Sequence, residues 1–144
     1  MIQDKVKRYE KFKSFITYLD ILTYALALSD QEEFDAEPNK WHEAVYQICQ
    51  SYREQIPELK RIYFSFREPL PPQSEQVDRL IKVISMSGEI ASPNPRWPTI
   101  DMDKAKKEKI REREEKRQEQ YKPQVDKIRQ IFEEKLKPIS ITSQ

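Results

Sequence analysis

Apolar residues recur every three or four positions from Ile2 through Val6, Tyr9, Phe12, Ile16, Leu19, Leu22 and Leu26, the spacing of a helical stripe. Phe15, Tyr18, Ile21 and Tyr24 widen that stripe in its second half. The segment from Ile2 to Leu28 is therefore predicted as one helix whose last turns form the most buried element of the fold. Lys5, Lys7, Arg8, Lys11 and Lys13 keep its first turns on the surface, and Ser29-Asp30 ends it.

A second helix opens at Pro38-Asn39, with Asn39 as its N-cap and a stripe of Trp41, Val45, Ile48, Tyr52 and Ile56. Pro57 interrupts it by a kink or a fresh start. Glu58 to Phe66 fits two periods at once. Ile62, Phe64 and Phe66 alternate as in a strand, whereas Leu59, Ile62, Tyr63 and Phe66 repeat as in a helix. No other segment alternates well enough to supply a ladder partner, so 58–66 is read as helix. Arg67 to Pro72 is expected to be extended, because proline fixes φ and restricts the residue before it. A further helix starts at Ser74, carries Val77, Leu80, Ile81 and Ile84 inward, and is expected to end at Gly88. Ser92 to Pro98 is a second proline-rich connector.

The pattern changes after residue 100. Between Asp103 and Gln120 only Ala105 and Ile110 are apolar, and opposite charges stand at helical spacing: Lys104 with Glu108, Arg111 with Glu115, Glu112 with Lys116. Such pairs contribute about 0.2–0.5 kcal/mol each. A proper stripe then returns at Tyr121, Val125, Ile128, Phe132 and Leu136, until Pro138. One helix over 101–137 would be about 55 Å long, against a radius of gyration of about 15 Å for a compact chain of this length. It must overhang, fold back at Pro123 or pair with another molecule. The expected fold is all-α. Residues 1–100 form a small bundle around Phe15, Ile16, Leu19, Leu22 and Leu26. Residues 101–138 form a long charged, then amphipathic helix kinked near Pro123, and 139–144 a mobile tail.

Composition narrows the chemistry. One glycine in 144 residues, where average usage gives about ten, excludes phosphate-cradling loops, dinucleotide fingerprints and Asn-Gly hairpins. Lys and Arg number 26 against 25 Asp and Glu, for a net charge of +1, and the mean hydropathy is −0.91. A dedicated nucleic-acid binder carries a clearer basic excess. Cys49 is the only cysteine, so neither an internal disulfide nor a zinc motif is available. Met1 to Lys5 leads into a charged segment rather than an apolar leader, and Phe15–Leu28 is too short and too charged to span a bilayer. A cytoplasmic location without membrane contact is expected.

No constellation for catalysis stands out. His42 is the only histidine and lies about 10 Å along a helix from Cys49, too far for a dyad; packing roles suit both residues. The acidic run Asp30 to Glu37 lacks the glycine and spacing of a calcium loop and is read as a solvated connector that meets a basic partner or the Lys104–Lys109 stretch. Pro69-Leu70-Pro71-Pro72 satisfies only the bare PxxP pattern and is read as a connector. The expectation is a non-enzymatic adaptor or regulatory subunit, without cofactor or metal, that associates with another protein or a second copy of itself. Its expected partner contacts are Arg96, Trp97, Tyr121, Val125, Ile128, Phe132 and Leu136. The less favoured alternative is an accessory nucleic-acid binder using Lys104, Lys106, Lys107, Lys109, Arg111 and Arg113 as phosphate contacts. Glu108, Glu112, Glu114 and Glu115 interleave these cations and oppose phosphate binding.

Overall fold

A computed structural model describes residues 15–86 and 99–138. Residues 2–14 of the expected N-terminal helix, Gly88, Arg96, Trp97 and residues 139–144 lie outside the described residues. Within them the fold is mostly helical, with five α-helices and a small two-stranded sheet.

Helix α1 spans Tyr18–Leu28 and is the centre of the molecule. Ile21, Leu22, Ala25, Leu26 and Ala27 have no solvent exposure, as expected for a segment apolar on nearly all sides. Its start is fixed by a reciprocal cap: the Asp20 N–H donates to Thr17 Oγ1 at 3.2 Å, and the Thr17 N–H donates to Asp20 Oδ2 at 3.0 Å. The helix therefore begins at Tyr18, and residues 15–17 are not helical. Phe15, expected in the core, is 62% exposed, while Ile16 and Leu19 pack only at the core's margin.

The acidic run connects two helices and keeps Asp30, Glu32, Glu33 and Glu37 exposed, as expected, but it is not irregular throughout. Its centre forms strand β1 (Glu33–Asp35), antiparallel to β2 (Thr99–Asp101), with Phe34 opposite Ile100. Phe34 is fully buried and Asp35 nearly so. The Asp35 carboxylate accepts the Glu37 N–H at 2.8 Å and pairs with Lys40, which ties the strand to helix α2, Pro38–Tyr52. Glu37, not Asn39, is the N-cap of α2, and Pro38 occupies its first turn. Trp41, Ala44, Val45, Ile48 and Cys49 form its inner face. The Trp41 Nε1–H donates to the Asp35 carbonyl at 2.6 Å, and its ring lies 6.3 Å from Phe34 and 5.9 Å from Phe132.

The doubly periodic stretch after Pro57 divides between its two readings. Pro57–Arg61 is a 3-10 turn that buries Leu59. Ile62 then enters β geometry (φ −95°, ψ 121°), and Ser65 forms an isolated antiparallel bridge with Gln73. The bridge closes over Arg67 to Pro72, which is turned rather than extended: the Leu70 N–H donates to the Arg67 carbonyl at 2.9 Å, and the Glu68–Pro69 peptide is cis. Helix α3, Glu75–Met86, follows and sends Val77, Leu80 and Ile84 inward.

The segment expected as a long charged, then amphipathic helix kinked near Pro123 comprises two separate helices. Helix α4 covers Lys104–Glu114 and α5 covers Lys122–Lys135, joined through turns and a short 3-10 stretch at Glu119–Tyr121. Pro123 sits in the first turn of α5 and marks a start, not a kink. Both helices pack against α1. Val125, Ile128, Phe132 and Leu136 join the same core as Leu22 and Leu26, so 101–138 completes the core that 1–100 leaves open.

Candidate functional site

The charged helix α4 and the turn that follows it meet the two ends of α1. At the C-terminal end of α1, Lys107 Nζ donates to the Ser29 carbonyl at 2.6 Å and also to the Gln31 carbonyl, with its ammonium 5.9 Å from the Phe34 ring centre. Arg111 Nε donates to the Ala27 carbonyl at 2.7 Å. Helix α1 has no basic residue in its own last turn, and these two cations from α4 satisfy its terminal carbonyls and complement its dipole. Burial holds the Lys107 pKa below the ordinary lysine value; Arg111 adds to that push, and Glu32, Asp30 and Glu133 oppose it. At the other end, Gln118 Nε2 donates to the Asp20 carbonyl at 2.9 Å. Arg117 donates to the Phe15 carbonyl at 2.6 Å and pairs with the fully buried Glu114.

Of the expected phosphate contacts, Lys106, Lys107 and Arg111 are engaged within the chain by this geometry. Lys106 Nζ donates to the Ile84 carbonyl at 3.0 Å, Lys107 is 3% exposed, and Arg111 is committed to Ala27. Arg113 contacts the buried Glu114 at 2.8 Å. Lys104 and Lys109 remain exposed on α4, beside the exposed Glu108 and Glu112. The acidic stretch and the basic helix do meet, but through backbone carbonyls rather than carboxylates.

The expected partner contacts also move inward. Val125, Ile128, Phe132 and Leu136 have no solvent exposure in the chain's own core, so they offer no surface to another molecule. Tyr121 is half-buried, and its hydroxyl donates to Glu58 Oε1 at 2.8 Å; burial, with that hydrogen bond second, pushes its pKa up to about 12.

His42 joins two helices, and Cys49 is a buried packing residue. The Ser74 N–H donates to His42 Nδ1 at 3.0 Å, and Nε2 lies 3.0 Å from Asp78 Oδ1. Both ring nitrogens are thus engaged in joining α2 to the start of α3, with Nδ1 as acceptor and Nε2–H as donor. Cys49 is buried, and desolvation raises its thiol to about 12, far from the range of a nucleophilic thiolate. Among the described residues no three His, Cys, Asp or Glu side chains come together as a metal site, and no helix is long and apolar enough to cross a membrane.

An open surface feature lies elsewhere among the described residues. A groove of about 930 Å³ runs between the outer face of α2 and the chain from Leu59 to Phe66. Leu59 and Ile62 are buried along it, and Tyr46 and Gln50 of α2, with Arg53 just after its end, face Tyr63, Phe64 and Phe66 across it. The Tyr46 ring meets Phe64 edge-on at 5.1 Å and Phe66 at 5.8 Å. Tyr63 is 68% and Phe66 66% exposed. Sequence reasoning did not single out this cluster, because Tyr46 and the 63–66 run are separated in the chain and only the alternation of Ile62, Phe64 and Phe66 hinted at it. Neither a protein-family model, nor a curated protein, nor a solved structure matches the chain.

Proposed function

We propose that the protein is a non-enzymatic binding module that recruits another protein through the aromatic groove between α2 and residues 59–66. The observation that carries this reading is the ring cluster of half-buried Tyr46 and Phe64 with exposed Phe66, beside exposed Tyr63. Aromatic side chains are enriched at protein interfaces. Burying one such ring by a partner is worth about 1.5–3 kcal/mol, so a few of them support a useful affinity. The groove is concave, has a buried apolar floor and carries polar side chains at its rim, the arrangement of a peptide-binding cleft.

The nucleic-acid alternative has weaker support. Lys106, Lys107 and Arg111 are spent on backbone carbonyls, and the cations left exposed on α4 stand among glutamates. A phosphate contact by Lys104 or Lys109 would add little to so small a cationic surface.

Selection of random displayed peptides on the full-length protein tests the proposal, with a Tyr63→Ala/Phe66→Ala variant as control. Both side chains are mostly exposed, so the variant should keep its unfolding free energy within about 0.5 kcal/mol. A convergent peptide set whose binding weakens by at least about tenfold on the variant is expected, the loss typical of a central aromatic anchor. Failure to enrich peptides, or enrichment of peptides indifferent to the variant, contradicts the proposal.

A further inference from the structure

Resting on the groove reading, we infer that the partner enters as an added β-strand: an extended acidic peptide that pairs with the free backbone edge of Phe64 and Phe66.

The Ser65 N–H donates to the Gln73 carbonyl at 2.8 Å, and the Gln73 N–H donates to the Ser65 carbonyl at 3.0 Å. The Tyr63 N–H, of the same parity, donates to Gln76 Oε1 at 3.0 Å. In an antiparallel pair, alternate residues direct their backbone groups to opposite sides. Phe64 and Phe66 therefore direct theirs away from Gln73. Among the described residues, the N–H and C=O of Phe64 and of Phe66 have no hydrogen-bond partner. They present two donors and two acceptors about 7 Å apart along the chain, the two-residue repeat of an extended strand.

Exposed edges are ordinarily shielded by charge, proline or a covering element. The Phe64-Ser65-Phe66 edge has no charge of its own, and the side chains that flank it are the aromatic wall of the groove. A peptide strand laid there gains main-chain hydrogen bonds from the edge and contacts for its alternate side chains from the rings, the two elements of strand-addition recognition.

Charge points to the occupant. Arg53 and Lys60 line the groove, and Arg61 and Arg67 bracket the edge in the chain, all exposed. Against these four cations stand Glu54 and Glu68, with Glu58, which lies beside Arg61, engaged by the Tyr121 hydroxyl. Glu54 is 3.9 Å from Arg53 and 3.5 Å from Lys60, all three more than half exposed, so these pairs are weak and leave the cations available. The excess favours an acidic strand. It also disfavours a second copy of this chain, whose own edge would bring the same cations face to face.

The test uses the full-length protein and two displayed peptide libraries, one with glutamate alternating with any apolar residue and one with lysine in place of glutamate. Binders are expected from the glutamate library alone, weakened about tenfold by Phe66→Ala and about threefold to tenfold by Arg53→Glu/Arg67→Glu. N-methylation of one alternate set of amides in the best binder should abolish binding, while N-methylation of the other set is tolerated. Tolerance of both sets, or equal binding from the lysine library, overturns the strand inference while the groove reading stands. Binders from the random peptides but none from the glutamate library do the same. No groove-dependent peptide from any library overturns both. A dimer in light scattering that Phe66→Ala dissociates, or displacement of the peptide by oligothymidine, overturns the acidic-strand assignment in favour of self-pairing or single-stranded nucleic acid.

Discussion

Lys107 donates from its buried ammonium to the carbonyl of Ser29, 78 residues earlier in the chain, at 2.6 Å. A helix that looks in the sequence like a solvated, self-paired rod is thereby the element that terminates the central helix. Its basic residues at 106, 107 and 111 all point to backbone carbonyls.

Replacing Lys107 by Met keeps much of the stem but removes the donor. It should destabilise the protein by about 1–3 kcal/mol, the cost of leaving buried carbonyls unpaired. Lys109→Met on the exposed side of the same helix should change stability by no more than about 0.5 kcal/mol. Urea unfolding of the two variants beside the parent checks this. Equal effects would mean that the Lys107 contacts contribute nothing to the fold.

Ending the chain after residue 100 removes Val125, Ile128, Phe132 and Leu136 from the core. Burying each is worth about 1.5–3 kcal/mol, so the four together supply about 6–12 kcal/mol. That is comparable with the entire stability of a domain, about 5–15 kcal/mol. The 1–100 fragment is therefore expected to lack a cooperative thermal transition and native near-UV circular dichroism. A fragment that melts cooperatively would restore a boundary at residue 100.

Alkaline stability follows from protons that the fold retains at Cys49 and Tyr121, with Tyr24 also raised by burial. Cys49 rises from 9.0 to about 12 by burial, and Tyr121 from 10.0 to about 12 by burial and its bond to Glu58. Where the folded chain binds more protons than the unfolded chain, stability falls as pH rises. The contribution of Cys49 is therefore complete below pH 9 and lost towards pH 12, and that of Tyr121 is lost between pH 10 and 12. Lys106 and Lys107 have lowered values and act in the opposite direction, but only below the ordinary lysine value of 10.5. Above pH 10.5 stability should therefore fall, less steeply in Cys49→Ala and Tyr121→Phe. Urea midpoints measured at stepped pH decide this, and an unchanged slope in both variants would contradict it. In the same native protein, Cys49 should resist thiol reagents at neutral pH until the chain unfolds.

The helical class and the dominance of the first helix were legible because Ile21, Leu22 and Leu26 belong to a long, nearly continuous apolar run. The inner faces of α2, α3 and α5 were legible for the same reason: Trp41, Val45, Leu80, Ile128 and Phe132 keep a helical period. Local pattern could not reveal long-range polar partners. Nothing near Lys107 marks it as the cap of Ser29, and nothing near Glu114 marks it as buried beside Arg117. Strand β1 was hidden because Phe34 is one apolar residue in an acidic run, and its partner β2 lies 66 residues away across a proline-rich connector. The groove was missed for a related reason. The strand-like alternation at Ile62, Phe64 and Phe66 has no ladder partner visible in local pattern, and the structure supplies Gln73 across a turn whose prolines suggest an extended chain.

The central claim is that the edge of Phe64 and Phe66 is open in the free protein and closed by a partner. Residue-resolved amide hydrogen exchange tests it most directly, on the full-length protein alone and with a peptide bound. In the free protein, the Ser65 and Gln73 amides should exchange slowly, and those of Phe64 and Phe66 should exchange rapidly. On binding, new protection should appear at Phe64 and Phe66. Protection confined to residues 104–117, or slow exchange at Phe64 and Phe66 in the free protein, would contradict the account.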